Sequence, residues 1–577
     1  MGVPGFFAWL LRNYKKKKII SKSIDSKVDV LYLDANCLFH PQCFKTLEHF
    51  MNLMNDASLE RKMIRRILAY IDFLIDFVNP NETFMSVDGV APMAKMNQQR
   101  KRRYRSGDDN DIKNAIKLKH GRPIGKQWSN TVITPGTEFM ENLHQKILQH
   151  MKKRSDVKIT YSSYHTPGEG EHKILQDLKS RAKHDQTATY VIYGLDADLI
   201  FLALASQKSN IYLLREAQHL GTSVEIDKDL QGDFFEDVSE ELNYVSIDEM
   251  VDCINDTITR SLTGKLNDSV PIQTTNFSDD FIFICYLLGN DFLPHLPSVD
   301  IKTGGLDFII DCYCDVYKLV ESPIITRKND MITINESFFI LLIKEVAKYE
   351  EYYFSKRLPK YKETWENRRC PTSDSYEREI WELENMINVK INDPIKLGED
   401  DPELYKYRYY EHYFGINENQ ADHIKRMSTE YIKGVIWVFR YYFDRCPSWE
   451  WQYLYTHAPF ISDISKHIDS IKTFNVDFGE SSPLNPFTQL LSVLPPSCSN
   501  ILPKEYRHLI TSDTSPLIDM YPQKIELDML NKCMYYQCIP LIPCIDIDRL
   551  KKAIKNLKLT KEESVRNSTL PNFKNFP

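Results

Sequence analysis

The sequence predicts an α/β fold in which a parallel sheet is flanked by helices. Three apolar runs rich in β-forming residues each end at or beside an acid, namely Asp34, Asp88 and Asp196. Helical patterns separate these runs, as expected of parallel strands joined by crossover helices. Because open α/β sheets place their sites outside the carboxyl ends of the strands, we expect these acids to gather at one edge of the sheet.

The first part of the chain alternates between helix and strand patterns. An amphipathic helix is predicted near the start, where Phe6, Phe7, Trp9 and Leu10 follow Pro4. The later segments are, in order, a strand in VDVLYLD, a helix in MIRRILAYIDFLIDFV, a strand in TFMSVDG, a basic helix in AKMNQQRKRRYRS, an amphipathic helix in EFMENLHQKILQHM and a strand in VKITYSS.

The stretch from Thr166 to Leu199 organises the rest of the prediction. The segment TPGEGEHKI is a turn that contains Glu169 and Glu171 beside glycines. The run YVIY then predicts a buried strand, followed by a turn with Asp196 and Asp198 and by an apolar helix. Further along, FSDDFIFICYLLGND predicts an apolar helix that ends shortly before Asp291.

The two closely spaced acid pairs predict a metal site. Four converging carboxylates without basic partners would repel one another, and a divalent cation removes that conflict. Hard oxygen ligands without neighbouring Cys or His favour Mg²⁺ or Mn²⁺. Such a cluster supports metal-dependent phosphoryl transfer, in which two cations activate water and neutralise the leaving oxygen. The alternative for either pair alone is a helix N-cap or a solvated turn.

Composition narrows the class of protein. Apolar residues make up 42% and charged residues 27% of the 577 residues, which is typical of a globular protein. The twelve cysteines are scattered without a CxxC pair, which predicts a reducing compartment, the cytoplasm or alternatively the nucleus. No signal peptide and no apolar run of membrane-spanning length is present, so we expect no membrane partner.

The net charge of −7 hides a basic segment. Residues 95–126 contain eleven Lys or Arg and three Asp, which gives 11 − 3 = +8. Tyr104 and Trp128 lie among or beside these cations, a mixture that suits phosphate contacts and base stacking. A second basic run occupies residues 15–18. The alternative for both runs is a solvated helix face.

Seven ordered blocks resemble the XRN family of 5′→3′ exoribonucleases: MGVPGFFAWL, LYLDANCLFH, VDGVAPMAKMNQQRKRRYR, ITPGTEFM, TPGEGEHKI, YGLDADLI and LLGNDFLPHLP. The similarity continues past residue 400 in KYRYYEHYF, SWEWQYLYTHAPFISDI, FTQLLSVLPP and SPLIDMYP. The resemblance implies a fold related to PIN and flap-endonuclease domains. It also implies Mg²⁺ or Mn²⁺, two ions, held by the acids Asp34, Asp88, Glu169, Glu171, Asp196, Asp198 and Asp291. Asp280 is a weaker candidate, better explained as an acid in the first turn of a helix.

The resemblance further implies a pocket for a 5′-monophosphate formed by Lys95, Gln99, Arg102 and Arg103. These positions fall on one face of a helix, which can cradle a phosphate, although an exposed basic helix face is the alternative. It implies base stacking by His40 and by a tryptophan, with Trp451 preferred to Trp449; a core role is the alternative for each.

Two positions depart from the family pattern. Cys37 replaces a small residue after Asn36, and Met93 stands where an Arg is usual. We expect Lys101 to compensate in part for that lost cation.

We predict a nuclease core over residues 1–350, a helical connector over 351–400, and a mostly helical second region over 401–560 that walls the active site. Residues 561–577 are predicted to form a loose tail. Because the chain ends soon after the second region and is rich in Lys, Ile, Asn and Tyr, we expect a compact, viral member of the family.

The resulting functional prediction is a processive 5′→3′ exoribonuclease that hydrolyses single-stranded RNA with a 5′-monophosphate to mononucleotides, acting in mRNA decay. Two alternatives stay open: a 5′ DNA exonuclease or flap nuclease, and a catalytically silent RNA-binding scaffold. A sequence does not show the 2′-OH contacts that separate RNA from DNA.

Overall fold

The structure of the chain is a computed structural model. It describes residues 5–14, 19–50, 56–125, 128–182, 187–194, 197–220, 234–235, 238–263, 276–328, 331–387, 389–417, 420–470, 474–569 and 573–576. Asp196 and the basic run at residues 15–18 lie outside these ranges.

The strands are β1 (Ile20–Ser21), β2 (Val30–Asp34), β3 (Glu82–Ser86), β4 (Lys158–Ser162), β5 (Tyr190–Tyr193), β6 (Ile211–Glu216), β7 (Leu242–Ser246), β8 (Ile325–Lys328), β9 (Met331–Ile334), β10 (Glu526–Asp528), β11 (Ile539–Leu541) and β12 (Phe573–Phe576).

The helices are α1 (Phe6–Tyr14), α2 (Ala35–Phe50), α3 (Asp56–Val78), α4 (Met93–Lys119), α5 (Glu138–Met151), α6 (Gly170–Ala182), α7 (Asp198–Ala205), α8 (Ala217–Leu220), α9 (Ile247–Thr263), α10 (Ser278–Tyr286), α11 (Gly305–Val320), α12 (Glu336–Ala347), α13 (Glu350–Tyr352), α14 (Leu358–Glu366), α15 (Ser375–Glu384), α16 (Pro402–Phe414), α17 (Ala421–Phe443), α18 (Ile461–His467), α19 (Pro486–Val493), α20 (Lys504–Thr511), α21 (Ile547–Ile554) and α22 (Lys561–Arg566).

The main sheet has the order β1-β7-β6-β5-β2-β3-β4-β12. Its five central strands, β6 to β4 in that order, are parallel, whereas β7, β1 and β12 pair antiparallel at the edges. The chain runs outward from β2 through β3 to β4, then returns to the other side of β2 for β5 and β6. The strand order therefore reverses between β2 and β5, and such a switch point is where α/β sheets bind ligands. The predicted α/β fold is confirmed, with antiparallel edges that we did not predict.

The central strands are buried on both faces, as parallel sheets require. In β2, Val30 and Tyr32 pack in one core and Leu31 and Leu33 in the other, because successive side chains point to opposite faces. Residues of α2, α3 and α5 complete the second core. Residues of α1, α6, α7, α9 and α10 complete the first, together with the second region's α16, α17 and α18.

The second region also encloses the start of α4. Met93 and Met96 pack in a third core with residues of α19, α20 and α21. The carbonyl of Trp449 accepts a hydrogen bond from Met93 N at 2.9 Å. In the described part of the chain, no helix is both long and apolar enough to cross a membrane.

The prediction of a loose tail is wrong. The strand β12 pairs antiparallel with β4, and Arg566 of α22 is buried. The Nη1 atom of Arg566 donates to the Gly136 carbonyl at 3.2 Å, and Asn567 Oδ1 accepts from Phe487 N at 2.8 Å. These contacts join the nuclease core to the second region. The sequence does not reveal these contacts, because β12 has only four residues and depends on pairing with the edge strand β4.

Candidate active site

The first acid lies at the switch point of the sheet. Asp34 is the last residue of β2 and is buried, and Cys37 Sγ donates to its Oδ2 at 2.9 Å. Asp198 is the first residue of α7, which follows β5, and its side chain is 1% exposed. The strand ends thus carry these two acids to the place that the sequence predicted.

A glycine-rich loop brings the next acids beside Asp34. Gly168, at φ +104°, donates through its N–H to the Val90 carbonyl at 2.8 Å, and its own carbonyl accepts from Gly89 N at 2.9 Å. Gly170 N donates to Asp88 Oδ1 at 2.6 Å. A Cβ on Gly170 would lie 2.9 Å from Asp34 Oδ1, closer than real Cβ contacts. The glycine is therefore what allows this loop to approach both carboxylates.

The crowding of acids shifts the ionisation of Asp88. Burial and the charge of Glu169 raise the pKa of Asp88 to about 6, although Gly170 N and two lysines favour its charged form. One of those lysines is Lys173, whose Nζ donates to the carbonyls of Val87 and Ser163 at 2.7 and 3.1 Å. Burial lowers the pKa of Lys173 to about 7.

Lys95 is the central cation of the acid cluster. Its Nζ lies 2.7 Å from Glu169 Oε1 and 2.9 Å from Asp291 Oδ2. Burial works against its charge, but the nearby Asp291, Glu169 and Glu171 carboxylates raise its pKa well above the ordinary value. Although burial opposes ionisation of Asp291, Lys95 lowers the pKa of that carboxyl. Lys95 thus links Glu169 to Asp291. The other predicted phosphate ligands, Gln99, Arg102 and Arg103, line a cavity whose lining does not include Lys95.

A second-region residue completes the shell around Glu169. The hydroxyl of Tyr441, in α17, donates to Glu169 Oε2 at 2.6 Å. The Tyr441 ring is buried between His172 and Trp437, with ring centroids 4.5 and 5.0 Å away. Burial and Glu169 raise the pKa of Tyr441, so its hydroxyl stays protonated and can donate.

The other predicted phosphate ligands share a cavity with the acids. A cavity of about 360 Å³ is lined by Gln99, Arg102 and Arg103 of α4 and also by Asp88, Glu169, His40 and Gln489. Arg103 Nη2 donates to Thr134 Oγ1 at 2.8 Å. Burial and the neighbouring charge of Arg102 lower the pKa of Arg103 to about 9. Arg102 itself is exposed.

The two predicted stacking tryptophans occupy different surroundings. A Cβ placed on Gly168 would lie 3.9 Å from Trp449 Cη2, so this ring borders the glycine-rich loop. Trp451 stacks on Trp437, with ring centroids 5.6 Å apart, and its Cη2 approaches Gly434 so closely that a Cβ there would be 2.9 Å away. Trp449 therefore borders the loop that contains Glu169, whereas Trp451, which is half-buried, packs against the core residue Trp437. The preference for Trp451 as the stacking ring stays a prediction.

Two secondary expectations can be judged directly. Asp280 is buried away from the cluster, where its carboxylate accepts hydrogen bonds from Ile324 N at 3.0 Å and Ile325 N at 2.9 Å. Its role is structural, as we expected. Lys101 does not line the basic cavity but lies on another face of α4, where it lines a separate cavity. The expectation that Lys101 compensates in part for Met93 stays a prediction, which its position outside the basic cavity does not support.

The described acids do not by themselves form a compact metal cage. Among the described residues, which exclude Asp196, no group of three or more His, Cys, Asp or Glu is arranged to hold a metal ion. Lys95 instead balances Glu169 and Asp291.

Sequence reasoning missed three residues of this site. Lys173 follows Glu169 by four positions in GEGEHK, a helical spacing that could have revealed it. Tyr441 and Gln489 are separated from the acids by hundreds of residues, and no local pattern marks them.

Comparison with known proteins gives a consistent result. A family model described as XRN 5′-3′ exonuclease N-terminus matches residues 1–217, and one described as Xrn1 helical domain matches residues 271–392 and 376–573. The chain is 32% identical over 616 residues to 5′-3′ exoribonuclease 1 of Homo sapiens. The matched region spans 98% of this chain and 35% of the human protein.

Two further relatives are covered more fully. The chain is 28% identical over 721 residues to 5′-3′ exoribonuclease 2 of Debaryomyces hansenii, covering 98% of this chain and 71% of that protein. It is 28% identical over 710 residues to 5′-3′ exoribonuclease 2 of Arabidopsis thaliana, covering 99% of this chain and 69% of that protein.

Proposed function

We propose that this chain, which belongs to the XRN family of 5′→3′ exonucleases, degrades single-stranded RNA processively from a 5′-monophosphate end to mononucleotides. One observation carries the proposal. The helix α4 presents Gln99, Arg102 and Arg103 to a cavity that Asp88 and Glu169 also line. A terminal phosphate held by these cations would bring the adjacent phosphodiester to the acids.

The proposed cofactor is Mg²⁺ or Mn²⁺, two ions, held by Asp34, Asp88, Glu169, Glu171, Asp196, Asp198 and Asp291. The donor chemistry fits, because these are hard carboxylate oxygens. Burial and, next, the charge of Glu169 raise the pKa of Asp88, and a bound cation would favour its charged form. When bound, the ions would activate water and neutralise the leaving oxygen. The chain's own residues orient the acids: Lys95 links Glu169 to Asp291, and Tyr441 fixes the second oxygen of Glu169.

The 5′-phosphate is the proposed determinant of substrate choice. A monophosphate carries nearly two charges at neutral pH and accepts several charge-assisted hydrogen bonds. Arg103 is a half-buried cation whose charged form an anion would stabilise. A 5′-hydroxyl offers these arginines no anion, so each lost hydrogen-bond partner should cost about 1–3 kcal/mol of binding free energy. A cap is too bulky for a cavity of about 360 Å³ that must also admit the first nucleotide.

The second region's contribution to the wall of this cavity supports exonucleolytic rather than internal cleavage. Gln489 of α19 lines the cavity, and its Oε1 accepts from Ala91 N at 3.0 Å, so the second region closes over the start of α4. Only a free single-stranded end fits such an enclosed site. We place the activity in mRNA decay, in the cytoplasm or alternatively the nucleus.

The test uses RNA and DNA oligonucleotides of one sequence with Mg²⁺ and with 5′-monophosphate, 5′-hydroxyl or capped ends. We expect the order monophosphate RNA, then hydroxyl RNA, with capped RNA resistant. Arg102→Ala should narrow the gap between monophosphate and hydroxyl substrates, whereas Arg122→Ala, at an exposed arginine paired with Asp374, should not. Equal degradation of all three RNA ends would refute the phosphate pocket. Faster degradation of DNA would favour a DNA exonuclease.

A second arm of the test addresses the metal. We expect chelator, or the variant Asp198→Asn, to reduce turnover by orders of magnitude while RNA binding persists. A wild-type rate in either case would exclude this metal site, and inactivity of the unmodified chain on every substrate would favour an RNA-binding scaffold.

A further inference from the structure

A second and larger cavity lies on a different face of α4. Its volume is about 570 Å³, within the range of small-molecule sites. Asn97 and Lys101 of α4 line one side, the segment after α10 lines another, and tyrosines of the second region complete it. The described cavity residues include none of Gln99, Arg102 and Arg103, so this cavity is separate from the proposed phosphate pocket.

Aromatic rings form much of the wall. The ring of Tyr413 stacks on that of His457, with centroids 3.7 Å apart at 25°. Tyr409 packs edge-on against Tyr413 with centroids 4.9 Å apart, and Tyr453 lies 5.3 Å from Tyr455. All five residues line the cavity. Such a wall favours a flat ring as the occupant.

Two lysines that line the cavity have no direct partner for their ammonium groups among the described residues. Within the described part of the chain, Lys101 and Lys532 form no hydrogen bond or ion pair through their ammonium groups. Burial lowers the pKa of Lys101, so an unpaired ammonium is costly there. Burial lowers the pKa of His457 as well. Asp528, 3.1 Å from its Nε2, opposes that shift, and the charges of Lys532 and Lys101 add to it.

The two acids of the cavity are already engaged. Asp291 binds Lys95 at 2.9 Å, and Asp300 Oδ1 accepts from Lys302 N at 2.8 Å. An anion between Lys101 and Lys532 would therefore meet two ammonium groups that form no direct ion pair within the described residues. The charge of Asp528 acts on Lys532, but its carboxylate oxygens are bound by Tyr413 and His457. Lys302 adds a third positive charge, next to the exposed ring of Tyr536.

We propose that this cavity is a second nucleotide site, which binds a nucleoside 5′-monophosphate with its base against the tyrosines and its phosphate between Lys101 and Lys532. A ring and an anion on one small molecule match the aromatic wall and the unpaired cations. The choice of a nucleotide over other aromatic phosphates rests on the proposed function, which releases this product. Because Asp291 lines the cavity, an occupant would lie beside the ion pair that links Asp291 to Lys95.

Equilibrium dialysis with labelled adenosine 5′-monophosphate in chelator tests the proposal. We expect two bound nucleotides per chain for the wild type, one for the double variant Lys101→Ala/Lys532→Ala, and one for Arg102→Ala/Arg103→Ala. Adenosine, which lacks the phosphate, should bind the second site at least tenfold more weakly. The control variant Lys344→Ala/Lys551→Ala removes two exposed lysines that already pair with Asp469 and Glu450, and should bind two.

The possible outcomes separate the two proposals. Equal binding by the wild type and by Lys101→Ala/Lys532→Ala would overturn the second site. One nucleotide on the wild type, lost in the lysine variant and retained in the arginine variant, would support the second site and overturn the phosphate pocket. Displacement of the lysine-dependent nucleotide by a short single-stranded RNA with a blocked 5′ end would identify the cavity as part of the RNA path and overturn the small-molecule assignment.

Discussion

The variant Tyr441→Phe removes one hydrogen bond from the candidate site and little else. The hydroxyl donates to Glu169 Oε2 at 2.6 Å, while the ring is held by His172 and Trp437. Phenylalanine keeps those ring contacts, so Glu169 loses its neutral donor but keeps Lys95 on Oε1.

The expected effect follows from the charge of the acceptor. A hydrogen bond to a charged group contributes about 1.5–3 kcal/mol, more than a neutral one. If the bond holds Glu169 in its reactive orientation, its loss raises the barrier by up to that amount, or about 10-fold to 150-fold in kcat. Because Tyr441 binds the acid and not the RNA end, we expect KM to change by less than threefold.

Tyr410→Phe is the matched control. The buried Tyr410 hydroxyl donates to Asp463 Oδ2 at 2.8 Å, within the second region. Each variant removes a donor to a buried carboxylate, at about 1–3 kcal/mol of the free energy of unfolding. Tyr410→Phe should cost at least as much as Tyr441→Phe, because the Tyr410 hydroxyl also accepts from Phe460 N at 3.1 Å. Steady-state degradation of 5′-monophosphate RNA and urea unfolding should be measured on both. Equal kcat values for Tyr441→Phe, Tyr410→Phe and the wild type would refute a positioning role for Tyr441.

Three other perturbations have defined outcomes. Gly170→Ala should reduce kcat at least tenfold, because its Cβ would lie 2.9 Å from Asp34 Oδ1. Gly107→Ala, whose Cβ has no atom within 4 Å, should keep full activity and gain up to about 1 kcal/mol of helix stability. Equal activities of the two variants would exclude the steric argument. Asn567→Ala should lower the melting temperature and kcat together, because it removes the hydrogen bond that joins the C-terminal segment to Phe487. Calorimetry and a rate assay measure the two effects, and an unchanged melting temperature would contradict this prediction. Burial lowers the pKa of His144 from 6.5 to about 4, so between these pH values the unfolded chain binds a proton that the folded chain does not. The free energy of unfolding should therefore fall by up to about 3 kcal/mol from pH 6.5 to pH 4. Urea unfolding of His144→Gln should show a smaller change in the free energy of unfolding over this pH range.

Local patterns predicted where several of the acids lie: Asp34 and Asp198 lie beside strand ends, and Glu169 lies in a short glycine-rich turn. Asp34 is the last residue of β2. Gly170 follows Glu169 in a segment whose backbone lies against the carboxylates of Asp34 and Asp88. These are properties of neighbouring residues, so the sequence displays them. The basic face of α4 was predictable for the same reason, since its members recur at helical spacing.

Residues that depend on docking between distant segments were not predictable in this way. Tyr441 reaches Glu169 across 272 positions, and only the packing of α17 on the first core brings them together. Lys101 is adjacent in sequence to Arg102 but faces a different cavity, because successive helical residues point about 100° apart. The strand β12 exists because β4 offers a free edge.

The central claim is that RNA enters one enclosed site by its 5′ end. The most direct measurement compares a circular single-stranded RNA with the same RNA opened at one position to leave a 5′-monophosphate, each incubated with the chain and Mg²⁺. We predict that the opened RNA is converted to mononucleotides without partly shortened intermediates, and that the circle survives. Cleavage of the circle at a rate comparable with the opened RNA would contradict this account.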